Sequence, residues 1–252
     1  MRIEFLGGGR VVRIILGGLQ RAGKLPGDVM VCDPDEDSLR LLEDEFRVKT
    51  SADCSNMEGD VIFLAVHPPV LKDVMNKMES PDPESLIVSL APKIRIWEIQ
   101  QALDHPKVAR VIPNSPSIVN RGYNPFSAAD ELTGTDRQIL QSLFEPLGEF
   151  PEVSEDKLEA YAVITAMGPT YLWFQLDELE KLAVEFGMAP EEAANAVHSM
   201  ASGAVETLYS HQNRDMVMDL IPVKPLADAE DDIRAIYRER LKTLYSGLRK
   251  GK

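Results

Sequence analysis

The opening stretch of this chain, Arg-Ile-Glu-Phe-Leu-Gly-Gly-Gly-Arg-Val-Val over residues 2–12, constrains its fold more than any other. An apolar strand from Ile3 to Leu6 runs directly into three glycines, and an apolar-periodic helix continues through Ile15 and Leu19. Gly7 and Gly9 stand as the first two glycines of G-x-G-x-x-G. The first permits a tight turn, and the second lets a pyrophosphate approach the backbone. The helix N-terminus beyond offers unpaired N–H groups and partial positive charge to phosphates. Gly8, Arg10 and Val11 complete this loop, and Val12 stands where a third glycine would bring helix and strand closer. A second strand, Asp28 to Cys32, ends at Asp33, where an acidic residue meets an adenosine ribose. The pattern predicts NAD(P)H as cofactor. NADH is favoured, because Asp33 accepts both ribose hydroxyls and repels a 2′-phosphate. Arg10 is the group that argues for that phosphate, and a glycine turn serving packing alone is the alternative.

The chain has 252 residues, enough for one large or two modest domains. Its 27 Lys and Arg against 41 Asp and Glu give a formal charge of −14, which repels nucleic-acid backbones and anionic membranes. The basic end Arg249, Lys250, Lys252 is short and reads as a solvated tail. Cys32 and Cys54 are accounted for by packing, and no disulfide framework or metal-ligand spacing is legible. The start on a strand leaves no room for a signal peptide, and no apolar run reaches the length of a membrane span. A cytoplasmic protein with reduced cysteines is expected.

The first half alternates short apolar runs with helical patterns, which favours a parallel sheet covered by helices. Val61 to Val66, Leu86 to Leu90 and Val108 to Ile112 read as strands buried on both faces. Helices are expected near 35–46, 68–78, 93–103 and 135–146, with a short closing strand near 149–153. After Ser154 the pattern is helical. Leu172, Leu176, Leu179 and Ala183 share one face, and Ala193, Val197, Met200, Ala204 and Leu208 another. Gly187 is placed as a C-cap, Pro190 in a first turn, and Ile233 to Leu248 in a third helix. The expected architecture is α/β: a Rossmann-type doubly wound parallel sheet over residues 1–153, then an all-helical domain over 154–252. Small residues at 193–204 suit close helix–helix approach, within one subunit or across a dimer.

Ligands of an open parallel sheet bind at the carboxyl ends of its strands. Besides the glycine turn and Asp33, the loops there are Ala65-Val66-His67-Pro68, Ala91-Pro92-Lys93 and Pro113-Asn114-Ser115-Pro116. Asn114 offers a hydrogen bond to a nicotinamide ring or its ribose, or is simply a turn-forming residue between prolines. His198 reads as a packed or capped residue, and His105 and His211 as solvent-facing. No Ser/His/Asp or Cys/His set is legible, so no catalytic residue is assigned.

Met1 to Gly18, Asp60 to Pro68, Arg110 to Pro116 and Gly168-Pro169-Thr170-Tyr171 together resemble pyrroline-5-carboxylate reductase, the last enzyme of proline biosynthesis. The family's corresponding motifs are a G-x-G-N-M opening, an A-V-K-P strand end, an M-P-N-T-P loop and an S-G-S-G-P-A-Y helix break. The resemblance spans essentially the whole chain in order. It implies hydride transfer from NAD(P)H to a cyclic imine and a helical dimerisation domain, hence a homodimer or a multiple of one. It also places Met167, Gly168 and Pro169 at the substrate.

The chain departs from the family at Arg10 for Asn, His67 for Lys, Ala91-Pro92-Lys93 for A-A-G and Thr165-Ala166-Met167-Gly168 for S-G-S-G. The family's substrate loop P-G-G-T-T aligns with Leu220-Ile221-Pro222-Val223-Lys224, which lacks both glycines and both hydroxyls. Lys224 offers one positive charge for a carboxylate, or is a solvated loop lysine. Two readings follow: an NAD(P)H-dependent reductase of a small cyclic imine or related substrate with altered specificity, or a dinucleotide-binding sensor or scaffold without catalysis. A hydroxyacid-type dehydrogenase shares the opening but needs a catalytic lysine that the pattern does not place.

Overall fold

The computed structural model describes residues 1–210 and 213–249, so His211, Lys250 and Lys252 lie outside the described residues. Nine strands and ten α-helices follow one another among those described. They are β1 (Ile3–Leu6), α1 (Arg10–Arg21), β2 (Val29–Cys32), α2 (Glu36–Phe46), β3 (Lys49–Ser51), β4 (Val61–Leu64), α3 (Pro68–Met75) and β5 (Leu86–Ser89). Next come α4 (Ile96–Leu103), β6 (Val108–Val111), β7 (Gly122–Tyr123), β8 (Phe126–Ala128), α5 (Gly134–Phe144) and β9 (Gly148–Glu149). The remainder is helical: α6 (Leu158–Tyr161), α7 (Pro169–Glu185), α8 (Pro190–Ser210), α9 (Arg214–Met218) and α10 (Glu230–Arg249).

The main sheet runs β3-β2-β1-β4-β5-β6-β8, with every pair parallel except β6–β8. The order reverses direction between β1 and β4, which makes the crevice outside their carboxyl ends the natural ligand position. The register Ile3↔Val29 and Ile3↔Val61 buries β1 between two apolar neighbours. Such strands read as continuous apolar runs, as the sequence does here. Phe5 stacks on Phe63 at 4.6 Å between ring centroids, and Phe144 packs against Phe63 at 6.0 Å. The expected closing strand shrinks to Gly148–Glu149 beside β7, with one further bridge from Glu152 to Phe126.

The described residues form two compact units: Met1–Met167 with Leu244–Arg249, and those within Gly168–Thr243. The second is helical. Its first helix ends at Gly187 (φ 101), where Gly187 N–H donates to Val184 O and Met188 N–H to Ala183 O. This is the paired bonding that a glycine just past a helix end permits. Tyr237 Oη donates to Tyr171 O at 3.1 Å and accepts from Gln175 Nε2 at 2.8 Å, tying α10 to α7. Among the described residues no helix is long and apolar enough to cross a membrane.

Three side-chain expectations are corrected. Cys32 and Cys54 are bonded to each other, with Cα atoms 5.5 Å apart. Cys32 lies opposite Ser51 across the β2–β3 pair, and the turn after β3 folds Cys54 back beside it. His105 is buried, its Nε2 3.0 Å from Asp82 O, because it follows a left-handed helix end at Asp104 that turns the chain inward. His198 is exposed on α8, where Ala193 and Val197 alone are buried.

Candidate cofactor site

Gly7 has φ 107, and a Cβ on it would meet Ala65 C and O at 2.9 Å. The close approach of the β1 and β4 ends therefore requires glycine here. Its N–H donates to Cys32 O at 2.7 Å, and Ala65 N–H donates to Leu6 O at 2.8 Å. The ends of β2, β1 and β4 are thereby fixed side by side. Gly8 N–H donates to Asp33 Oδ2 at 2.7 Å, while Asp33 Oδ1 accepts from Asp35 N–H at 2.8 Å. Asp33 is thereby held beside the glycine turn.

Gly9 caps α1 with no side-chain hydrogen bond, and a Cβ on it would meet nothing within 4 Å. The first turn of α1 carries no acidic residue, and Arg10 is exposed at its first position. A cation there opposes the helix dipole unless an anion arrives. Open backbone donors, clear space and a flanking guanidinium fit a pyrophosphate. Among the described residues no cluster of His, Cys, Asp and Glu has the form of a metal site.

The loop after β4 forms a second uncapped helix start. His67 precedes Pro68, the first residue of α3, and makes no side-chain cap. Val66 and Ala65 are half-buried and His67 is exposed. After β5 the expected helix begins three residues late, at Ile96, because Lys93 has φ 78. That left-handed backbone breaks any helix through it.

Asn114, after β6, is buried with its side chain engaged at both ends. Oδ1 accepts from Tyr123 N–H at 3.0 Å, and Nδ2 donates to Thr165 O at 3.3 Å. It braces the turn, in agreement with the turn-forming reading. Thr165 lies in a π-helical turn, Ala162–Ala166, that ends at Met167. Such turns are frequent where a helix is interrupted for function. Met167 ends the N-terminal stretch of the first unit; Gly168 and Pro169 open α7 in the second. Lys224 is exposed in the turn before α10 and lines a groove of about 660 Å³ with Pro225, Leu226, Ile233 and Tyr237.

An ion-pair network behind the strand ends was missed by the sequence reading. Arg110 on β6 is fully buried and donates to Glu155 Oε1 at 2.9 Å and Glu159 Oε1 at 2.8 Å. Glu159 also accepts from Lys93 N–H at 3.3 Å, and Glu155 from Ile96 N–H at 2.7 Å. Arg95 joins Glu155 and Asp156, and the hydrogen bond with Asp156 raises the guanidinium pKa further above its ordinary value. The signal was present in Val-Ala-Arg-Val-Ile: a charge in a strand otherwise buried on both faces needs a partner.

Residues 2–93 match the family model described as NADP oxidoreductase coenzyme F420-dependent. Pyrroline-5-carboxylate reductase of Escherichia coli (strain K12) is 29% identical over 215 residues, covering 82% of this chain and 80% of the relative. The enzyme of the same name from Pisum sativum is 25% identical over 205 residues, covering 80% and 75%. Among solved structures, the Plasmodium falciparum pyrroline carboxylate reductase with NADP bound has a TM-score of 0.83 at 17% identity, covering 100% of this chain and 98% of that one. The Streptococcus pyogenes 1-pyrroline-5-carboxylate reductase gives 0.84 at 14%, covering 99% and 98%. At such identities the structural likeness establishes the fold.

Proposed function

We propose, from the premise that this chain is a member of the pyrroline-5-carboxylate reductase family and an NAD(P)-dependent oxidoreductase of that kind, that it reduces a small cyclic imine or related carbonyl substrate with NADH, and that its specificity differs from the family's. The observation that carries this reading is an intact cofactor turn, Gly8 N–H on Asp33, in a chain whose segment 220–224 lacks glycine and hydroxyl donors. When bound, NADH supplies a hydride, and an iminium nitrogen keeps the proton it already carries.

The residues of the chain bind and orient. Gly7 to Gly9, Arg10 and Val11 take the pyrophosphate, and Asp33 the adenosine ribose. Ala65 to Pro68 and the Asn114 turn line the nicotinamide side. Met167, Gly168, Pro169 and Lys224 are assigned to the substrate. Positioning and exclusion of water supply most of the rate in such a transfer. Ile221 and Val223 are exposed at 68% and 71% and donate no side-chain hydrogen bond, and Pro222 has no N–H. Loss of several hydrogen bonds to a buried substrate lowers its rate by roughly a thousandfold.

The functional unit in this reading is a homodimer or a multiple of one, joined through the helices after residue 155. Leu172, Trp173 and Phe174 on α7 are 54%, 54% and 64% exposed, an apolar surface suited to burial against a second copy.

The test is a screen of cyclic imines and keto acids with purified protein, read by NADH and NADPH absorbance. Turnover with NADH is expected, with kcat/KM on pyrroline-5-carboxylate below about 10⁴ M⁻¹s⁻¹. A value at or above that refutes altered specificity. Tight cofactor binding with no turnover of any compound favours the non-catalytic sensor reading, and tighter NADPH than NADH refutes the role given to Asp33.

A further inference from the structure

The Cys32–Cys54 bond joins two loops at the carboxyl edge of the sheet. Cys32 is the last residue of β2, and Cys54 follows the end of β3, which runs parallel beside it. Ligands of an open parallel sheet sit along this edge.

The bond also stands directly behind the cofactor turn. Cys32 O accepts from Gly7 N–H at 2.7 Å, and the next residue, Asp33, accepts from Gly8 N–H at 2.7 Å. Asp33 N–H in turn donates at 3.1 Å to the carbonyl of Ser51, where the chain leaves β3 for Cys54. A closed ring therefore runs from Cys32 through Asp33, Ser51 and Asp53 to Cys54. The carboxylate given to the adenosine ribose stands on that ring.

The loop after β3 has anchors of its own. Asp53 Oδ1 accepts from the Ser55 N–H and hydroxyl at 3.0 and 2.8 Å. Ser55 O accepts from Glu79 N–H at 3.1 Å, and Met57 is buried. β2 is held separately, by its pairing with β1 and the burial of Val29 and Val31. Cutting the disulfide thus uncouples the end of β2 from the loop while each keeps its own support. The two sulfurs differ in access. Cys32 is 2% exposed and Cys54 is half-buried, so a thiolate reaches the Cys54 sulfur first.

We infer that Cys32 and Cys54 form a thiol–disulfide switch on the adenosine half of the cofactor site: the bond holds Asp33 and the loop after β3 in the form that binds dinucleotide, and its reduction weakens that binding. Its premise is the place given above to Asp33 at the adenosine ribose. The reductant is a dithiol. One of its thiolates attacks the Cys54 sulfur to form a mixed disulfide, and Cys32 leaves as a thiolate that takes up a proton. The second thiolate of the reagent then displaces the Cys54 sulfur, which is protonated in turn. Two electrons and two protons pass to the chain, and the dithiol becomes a disulfide. Binding and reduction are reciprocal. If the oxidised form binds NADH tenfold more tightly, bound NADH disfavours reduction tenfold, about 30 mV for this two-electron couple.

The experiment titrates NADH, ADP-ribose and reduced nicotinamide mononucleotide against three samples: protein oxidised with glutathione disulfide, protein held in dithiothreitol, and Cys54→Ser. Reduction and Cys54→Ser are each expected to raise Kd for NADH and ADP-ribose about tenfold. Kd for the mononucleotide, which lacks adenosine, stays within twofold. Cys54→Ser no longer responds to dithiothreitol, and circular dichroism at the titration temperature matches the oxidised protein in all samples. An NADH Kd that reduction leaves unchanged or lowers, or an equal loss for all three ligands, overturns the inference and leaves the cofactor assignment standing. So does unfolding on reduction, which makes the bond a staple of the fold. Two thiols that stay free in glutathione disulfide, or a bond that excess dithiothreitol leaves intact, also overturn it. Oxidised protein that binds neither NADH nor ADP-ribose overturns the cofactor assignment as well.

Discussion

The two units treat apolar surface in opposite ways. In the first, Phe5, Phe63, Phe144, Leu16 and Ile62 are each at most 1% exposed, enclosed between the sheet and its helices. In the second, α7 runs for 17 residues with none buried, and α8 buries only Ala193 and Val197 in 21. A sheet has two faces for helices to cover, so the first unit completes its own core. The helices of the second unit leave large apolar side chains such as Leu172, Trp173 and Phe174 exposed, and an apolar helix face stays open until something packs on it.

The largest effect should come from the completed core. Phe63→Ala leaves a cavity under Phe5 and Phe144 and is expected to cost about 3–5 kcal/mol in urea unfolding. The matching change on α7, Trp173→Ala, should cost less than about 1 kcal/mol of unit stability. Under the proposed dimer, Trp173→Asp should instead give monomers in sedimentation where wild type gives dimers. A Trp173→Asp protein that stays dimeric removes α7 from the interface and ends the contrast.

Arg110→Met should come next, at about 3 kcal/mol, because it leaves the Glu159 carboxylate buried without its partner. Adding Glu159→Met should return much of that loss, since removing both charges avoids the penalty. A double variant as unstable as the single one would show that the network acts through shape and not charge.

A smaller effect sharpens the assignment of the cofactor to the first unit. Asp33→Ser should narrow or reverse the proposed preference for NADH by about tenfold, roughly 1.4 kcal/mol. Titration of both cofactors reads it, and an unchanged ratio would move the ribose contact elsewhere.

The smallest effect concerns Asp35, which caps α2. The hydrogen bond from the Ser38 hydroxyl, then that from Asp37 N–H, holds its carboxyl below the ordinary carboxylate range. A carboxylate with a lowered pKa stabilises the fold at neutral pH and loses that effect as pH falls through the folded value. Asp35→Ala should therefore melt slightly lower than wild type near neutrality and converge with it in acid, below about pH 4. A gap that persists into stronger acid would exclude the charged cap as its cause.

Much of the first unit was legible because its signals are local. β1, β2, β4, β5 and β6 lie within the apolar runs that announced them, though each ends at or before the run does. β3 was missed because Lys-Thr-Ser is short and polar at a sheet edge, and β8 because only its pairing with Ala109, Arg110 and Val111 makes it a strand. At the cofactor turn, Gly7, Gly9 and Asp33 were readable since strand, turn and helix are contiguous. The Arg110–Glu155–Glu159 network was not, since its members are 45 and 49 residues apart. Nor was the Cys32–Cys54 bond, which depends on the β2–β3 register.

By itself the sequence determined the α/β alternation, the glycine turn with its acidic partner, and the helical second half. These follow from steric and periodic rules acting over a few residues. Tertiary structure alone decided that Lys93 would be left-handed, that Asn114 would spend its amide on Tyr123 and Thr165, and that a buried arginine would anchor the strand ends. Each of these depends on which distant groups share one small volume once the chain has closed, and a buried charge or strained backbone is stable only when those groups are present.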